Sequence, residues 1–235
     1  MAVALKARKQ REREEVRRAI LDAARRLFIE GGYGNVPIRR VAQAIDYSPA
    51  ALYRYFPTKE DIFNALAEEG FALLARRDAL PACPPDAPPL EQLRHFYWGI
   101  YEFAKRYPEY FYLIFLDKSA PRLRADSHAM RMAEEFSSRW VDSLIAKCVA
   151  AGELPRGIRP GVPQETLSTA MYGVAARYVC DRLAVGVDAD AQARAVLEMA
   201  FAGLKAGALG GVRLDAPPSP ARRRSTTRRA RSRRR

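Results

Sequence analysis

The sequence predicts an all-α protein, and three observations carry the prediction. Apolar residues return with a period near 3.6 along most of the chain. No segment combines sustained apolar–polar alternation with the β-branched enrichment of a strand. Glycine, proline and capping residues stand where that period starts and stops. The expected organisation is a basic arm over residues 1–13, a three-helix helix-turn-helix unit over 14–60, a connecting helix and Pro-rich linker over 61–89, a second helical domain over 90–209, and an Arg-rich tail over 210–235.

The elements follow in order. Residues 1 to about 13 are charged and are expected to fray. From Glu14 a helix is expected. Val16, Ile20, Ala23, Ala24, Leu27 and Phe28 share one face, and Arg17, Arg18, Asp22, Arg25 and Arg26 fill the other. "GGYG" at Gly31–Gly34 stops it, because glycine readily takes the left-handed conformation that ends helices. Pro37 suits a first helical position, and Ile38, Val41, Ala42 and Ile45 form the apolar side of the second helix. "DYS" breaks it, and Asp46 falls where the turn asks for positive φ. Ser48 then caps a third, very short helix that opens with Pro49. Leu52 and Phe56, four apart, face inward, and Pro57 ends the segment. Thr58 caps a fourth helix with Asp61 three residues on, running from Lys59 to about Asp78. "LPACPPDAPPL", Leu80–Leu90, is a linker with five prolines. Further helices are expected at about 90–106, 108–116, 122–151, 163–185 and 188–208, and the tail beyond about Gly210 has no core-forming pattern.

Charge and cysteine content narrow the class. The formal net charge is +13, and nine arginines without an acid lie between Pro217 and Arg235. That balance points to a polyanionic partner. Cys83, Cys148 and Cys180 lie far apart and suggest neither zinc nor a disulfide framework, so small buried or half-buried thiols in a reducing cytoplasm are expected. No apolar run is long enough to span a bilayer, and no signal peptide is apparent. His95 and His128 have no metal-ligand spacing, and there is no Gly-rich phosphate loop or nucleophile elbow. No enzyme activity, metal or cofactor is expected.

A helix of two turns is unstable alone. Here it is held through Leu52 and Phe56, which leaves Ala50, Ala51, Tyr53, Arg54 and Tyr55 to face outward. Helices two and three with their three-residue break form a helix-turn-helix, and the DNA major groove admits one helix. Ser48 and Pro49 open the reader, whose free amides suit a phosphate. Ala50 and Ala51 allow close approach to bases. Arg54 suits guanine or a phosphate, and the Tyr53 and Tyr55 hydroxyls suit phosphates. Lys59 is expected at the DNA backbone. Arg39 and Arg40 are either phosphate contacts or a solvated face.

On these residues the stretch "ILDAARRLFIEGGYGNVPIRRVAQAIDYSPAALYRYFPTKEDIFNAL", Ile20–Leu66, resembles the DNA-binding domain of the TetR family of transcriptional regulators. "A-x-x-LF", "VA", "LYRYF" and "P-T-K-E" occur together and in order. The resemblance implies that Ser48–Tyr55 is the recognition segment and that Tyr53, Tyr55 and Lys59 contact the DNA backbone. It also meets departures: Asp46 stands where the family has Gly, Val36 and Pro37 where it has Thr or Ser, Arg40 where an acid is common, and Tyr47 where Val is usual.

Ten of the 23 aromatic residues fall between Phe96 and Phe115, and the helix there is apolar on two faces, so it is either core or a cavity wall. The resemblance implies an effector pocket from Phe96, Tyr97, Ile100, Tyr101, Phe103, Phe111, Phe115, Phe136, Trp140, Tyr172 and Tyr178. It also implies a homodimer through the last two helices, whose Ala and Gly content lets helices approach closely; such a dimer matches a palindromic operator. The expected protein is a dimeric repressor released by a small apolar or aromatic ligand. An activator and a ligand-independent, DNA-coating architectural protein are the alternatives. The arginine tail reads either as a nonspecific DNA clamp or as a solvated extension.

Overall fold

The computed structural model describes residues 2–76, 83, 84, 86–135, 139–158, 161–209 and 212. Every regular element among them is helical. Helix α1 spans Ala2–Gly31 and is followed by a 3₁₀ turn at Tyr33–Asn35. α2 (Ile38–Gln43), α3 (Pro49–Tyr53) and α4 (Lys59–Ala75) complete the N-terminal unit. The second domain holds α5 (Pro89–Arg106), α6 (Pro108–Phe111), a π-helical turn at Tyr112–Leu116, α7 (His128–Glu134), α8 (Trp140–Ala150), α9 (Val162–Val179) and α10 (Ala189–Lys205).

The N-terminal core is the predicted one. Ile20, Ala24 and Phe28 of α1 meet Val41 and Ala42 of α2, Leu52 and Phe56 around α3, and Ile62, Phe63 and Leu66 of α4, all essentially excluded from water. Tyr33 joins Phe28 and Phe63 through edge-to-face contacts at 5.1 and 5.7 Å. In the second domain α5 is the central element. Leu93, Tyr97, Tyr101 and Ala104 bury it against α8, α9 and α10. α4 carries one core into the other: its first turns pack under the helix-turn-helix, and its Ala67 and Phe71 join Ala129 of α7.

Several expectations are corrected. The arm does not fray: α1 begins at Ala2, because no breaker separates residues 2–13 from the core-facing turns. The helix expected over 122–151 does not start until His128, where the Ser127 hydroxyl accepts from the Met130 amide and caps α7. Pro37 lies just before the second helix, not in it. α3 ends at Tyr53, α4 at Ala75, α9 at Val179 and α10 at Lys205, each short of its expected end. Of the three thiols, Cys148 is buried, Cys83 half-buried and Cys180 exposed. The arginines of the tail lie outside the described residues.

Candidate nucleic-acid interface and effector cavity

The turn before α3 is built as its residue types demand. Asp46 has φ 57°, which reverses the chain so that the Tyr47 amide reaches the Ala42 carbonyl at 2.9 Å. Asp tolerates that region better than most residues, at a small strain. The Ser48 hydroxyl accepts from the Ala51 amide at 3.1 Å, and Pro49 follows as the first helical residue. Leu52 and Phe56 are buried, so the opposite side of α3 is fixed outward. There Ser48, Pro49, Ala50, Tyr53 and Arg54 are exposed, and Ala51 is half-buried. Arg39 and Arg40 are exposed on neighbouring α2; among the described residues neither they nor Arg54 pairs with a carboxylate. The exposed residues of α2 and α3 thus include small residues at the helix start, a phenol and three cations.

Two expected DNA contacts, like Ala51, are less exposed than the others. Tyr55 is half-buried, and its backbone carbonyl accepts from Arg17 at 3.0 Å while the Arg17 guanidinium lies 4.3 Å above the Phe56 ring. Lys59 turns inward. Its ammonium donates to the carbonyls of Tyr33 (2.5 Å) and Val36 (2.9 Å) and stands 3.9 Å from the Tyr33 ring centroid. Burial pulls its pKa below the ordinary lysine value, and nearby Asp117 works the other way. Lys59 here ties α4 to the turn before α2. Sequence reasoning missed Arg17, and it read Tyr47, which is exposed, only as a departure.

From the other domain, Asp117 and Ser119 reach the same turn. An Asp117 carboxylate oxygen accepts from the Tyr33 amide at 2.8 Å, and the Ser119 hydroxyl accepts from the Gly34 amide at 2.7 Å. The second Asp117 oxygen accepts from the Ser119 amide and hydroxyl. Burial raises the Asp117 pKa, but these hydrogen bonds outweigh it and leave the group below its ordinary value.

Asp117 directly follows the π-helical turn, and that turn walls a cavity of about 220 Å³. Four predicted residues line it: Phe96, Ile100, Phe115 and Tyr172. Phe71, Leu74, Ile114, Leu123, Ala133 and Ser168, which were not predicted, complete it. Tyr172 stacks on Phe115 at 4.9 Å, and burial pushes its hydroxyl up to about 12, so it is neutral at physiological pH. Tyr97, Tyr101, Phe103 and Phe111 are not at this cavity but are packed in the core. Trp140 and Tyr178 are partly exposed; they rest against Phe96 at 5.2 Å and Tyr101 at 6.0 Å. Phe136 lies outside the described residues. Among the described residues no cluster of His, Cys, Asp or Glu suits a metal ion, and no helix is long and apolar enough to cross a membrane.

Residues 20–66 match the pattern of bacterial regulatory proteins of the tetR family. The chain is 45% identical over 67 residues to the HTH-type transcriptional repressor Rv1474c of Mycobacterium tuberculosis, covering 27% of this chain and 36% of that protein. It is 30% identical over 181 residues to the HTH-type transcriptional repressor AcnR of Corynebacterium glutamicum, covering 74% of this chain and 85% of AcnR. The chain belongs to the TetR family of transcriptional regulators. As a TetR-family member it is a DNA-binding regulator and not an enzyme. The fold agrees with solved structures. AibR, in complex with isovaleryl coenzyme A and operator DNA, superposes with a TM-score of 0.62 at 18% identity, covering 79% of this chain and 97% of AibR. FadR of Bacillus subtilis, in complex with stearoyl-CoA, gives a TM-score of 0.60, also at 18% identity, over 79% of this chain and 97% of FadR.

Proposed function

We propose that this TetR-family protein is a homodimeric repressor that releases a palindromic operator when a small apolar group enters the second domain. The observation that carries the reading is the short path from cavity to reader. Ile114 and Phe115 line the cavity; Asp117 and Ser119, two to five residues on, hold the backbone of the turn that starts α2. A ligand that displaces Phe115 acts on the helix-turn-helix through that turn. It shifts the equilibrium only by its differential affinity for the two arrangements.

The lining limits the ligand. Among the described residues it is aromatic and aliphatic, with the Ser168 and Tyr172 hydroxyls as its only polar side chains and no charged group. At about 220 Å³ it lies below the range of cavities that enclose drug-sized molecules, so it takes a short acyl chain or a single ring rather than a whole coenzyme. Two structural neighbours bind CoA thioesters, which makes the acyl group of a CoA thioester the first candidate.

Dimerisation through α9 and α10 is supported by two exposed positions: Gly173 has open space where a Cβ would stand, and Met199 is 69% exposed. Two copies related by a two-fold axis present two readers to paired half-sites.

The test uses a duplex recovered by selection from a random pool. Its affinity for the full-length protein is measured during titration with CoA and with butyryl-, octanoyl- and palmitoyl-CoA. The expected result is weaker DNA binding with an acyl-CoA and unchanged DNA binding with CoA alone. A thioester that binds by calorimetry yet leaves operator affinity unchanged refutes the coupling.

A further inference from the structure

The first third of α1 is left unused by the fold. Residues 5–15 are exposed, and contact with the core begins only at Val16 and Ile20. At 1.5 Å per residue, Ala2–Arg13 projects about 18 Å beyond the domain, the length of about five base pairs. A solvated helix end without packing is ordinarily poorly held, so its composition matters.

That composition is one-sided. Residues 2–11 contain Lys6, Arg8, Lys9 and Arg11 and no acid. Lys6, Lys9, Arg13 and Arg17 follow one another at spacings of three, four and four, so they line one side of the helix. The direction of that side is set by its other end. It is continuous with Ile20, Ala24 and Phe28, which enter the core, and Arg17 reaches the Tyr55 carbonyl just beyond α3. Lys6, Lys9 and Arg13 therefore extend, past the domain edge, the side that faces the end of the reader. Glu12, Glu14 and Glu15 fall off this stripe by helical position, and Glu12 pairs with Arg8 at 2.8 Å. Among the described residues Lys6, Lys9 and Arg13 have no carboxylate partner.

We infer that the Ala2–Arg13 extension of α1 is a second DNA-contacting element, which lays Lys6, Lys9 and Arg13 along the phosphates flanking the half-site read by α3. Charge complementarity with the duplex and continuity with the reader surface select DNA over a protein partner. The contact adds affinity without reading bases, because lysine and arginine at phosphates carry no sequence information directly. It widens the footprint of each subunit by about five base pairs on the flank.

The test compares the full-length protein with a Lys6→Gln/Lys9→Gln/Arg13→Gln variant and a control, Arg8→Gln/Arg11→Gln, whose charges lie on the other side of the helix. Each binds the selected duplex with the flanks it was selected in and the same duplex trimmed to the two half-sites. On the flanked duplex the triple variant is expected to bind at least tenfold more weakly at low salt. Its slope of log K against log salt is expected to fall by about 2 to 3 per bound subunit. On the trimmed duplex the gap closes, and the control loses less than half as much on either. Equal losses from the triple variant and the control would reduce the effect to bulk charge and overturn the inference. So would a loss that persists on the trimmed duplex. An unchanged salt slope with an altered sedimentation coefficient would also overturn it, by assigning the extension to a protein contact.

Discussion

Lys59 separates a structural from a DNA-contacting role in one substitution. Lys59→Met keeps the length and the apolar stem but removes the ammonium that joins the Tyr33 and Val36 carbonyls. A hydrogen bond to a charged group contributes about 1.5–3 kcal/mol, and two share this ammonium. Burial takes part of that back, as the lowered lysine pKa requires, so a net loss of about 2 kcal/mol is expected rather than the full sum. For a chain of this size that is a fall in Tm of about 4–8 °C, read by circular dichroism with DNA absent. At a temperature where both proteins are folded, the salt dependence of operator binding is expected to stay unchanged, because no phosphate contact is lost. An unaltered Tm with a salt slope smaller by about 1 would refute this, and would return Lys59 to the DNA backbone.

Three other substitutions probe the rest of the path. Asp117→Ala removes the acceptor of the Tyr33 amide and is expected to cost about 2 kcal/mol at pH 7. The native carboxylate lies below its ordinary value of 3.8, so its contribution is present above that pH and is lost as pH falls through the lower folded value. The Tm gap between the wild type and Asp117→Ala should therefore narrow from pH 7 toward pH 3; a gap that widens on acidification contradicts the assignment. Gly70→Ala puts a methyl group against Ile114 Cδ1 and 3.2 Å from the Tyr110 ring. The roughly 1 kcal/mol helix gain of alanine over glycine offsets part of the clash, and Ile114 yields into the cavity. Calorimetry should show at least tenfold weaker effector binding with operator affinity preserved, whereas unchanged effector binding would place the ligand elsewhere. Leu52→Ala empties the site beneath the reader and should cost about 2–5 kcal/mol of stability in thermal or urea unfolding, with a loss below 1 kcal/mol excluding it as the anchor.

The conformation of α3 is legible in the sequence because its determinants are local. Ser48 caps its own helix, Asp46 takes its own φ, and the Leu52–Phe56 spacing sets which side is buried. The inward hydrogen bonds of Lys59 are not legible locally, because the carbonyls that hold it come from 23 and 26 residues earlier. Six of the ten described cavity residues are hidden for the same reason. Phe96 and Phe115 stand in a conspicuous aromatic run, whereas Phe71 and Leu74 look like ordinary core positions of α4 until α7 is packed across them. Two local signals were present and overlooked. Ser127 is a sound cap six residues into the stretch expected to be one helix, and nothing between Ala2 and Glu14 interrupts α1.

Because α4 begins beneath the reader and ends at the cavity, it is a lever shared by both domains. Seventeen residues make a rod of about 25 Å, and a tilt of about 5° about its cavity end swings the other end by about 2 Å. In the proposed homodimer, two copies swinging in opposite senses would double that displacement, enough to put a pair of probes out of step with a groove repeating every 34 Å or so.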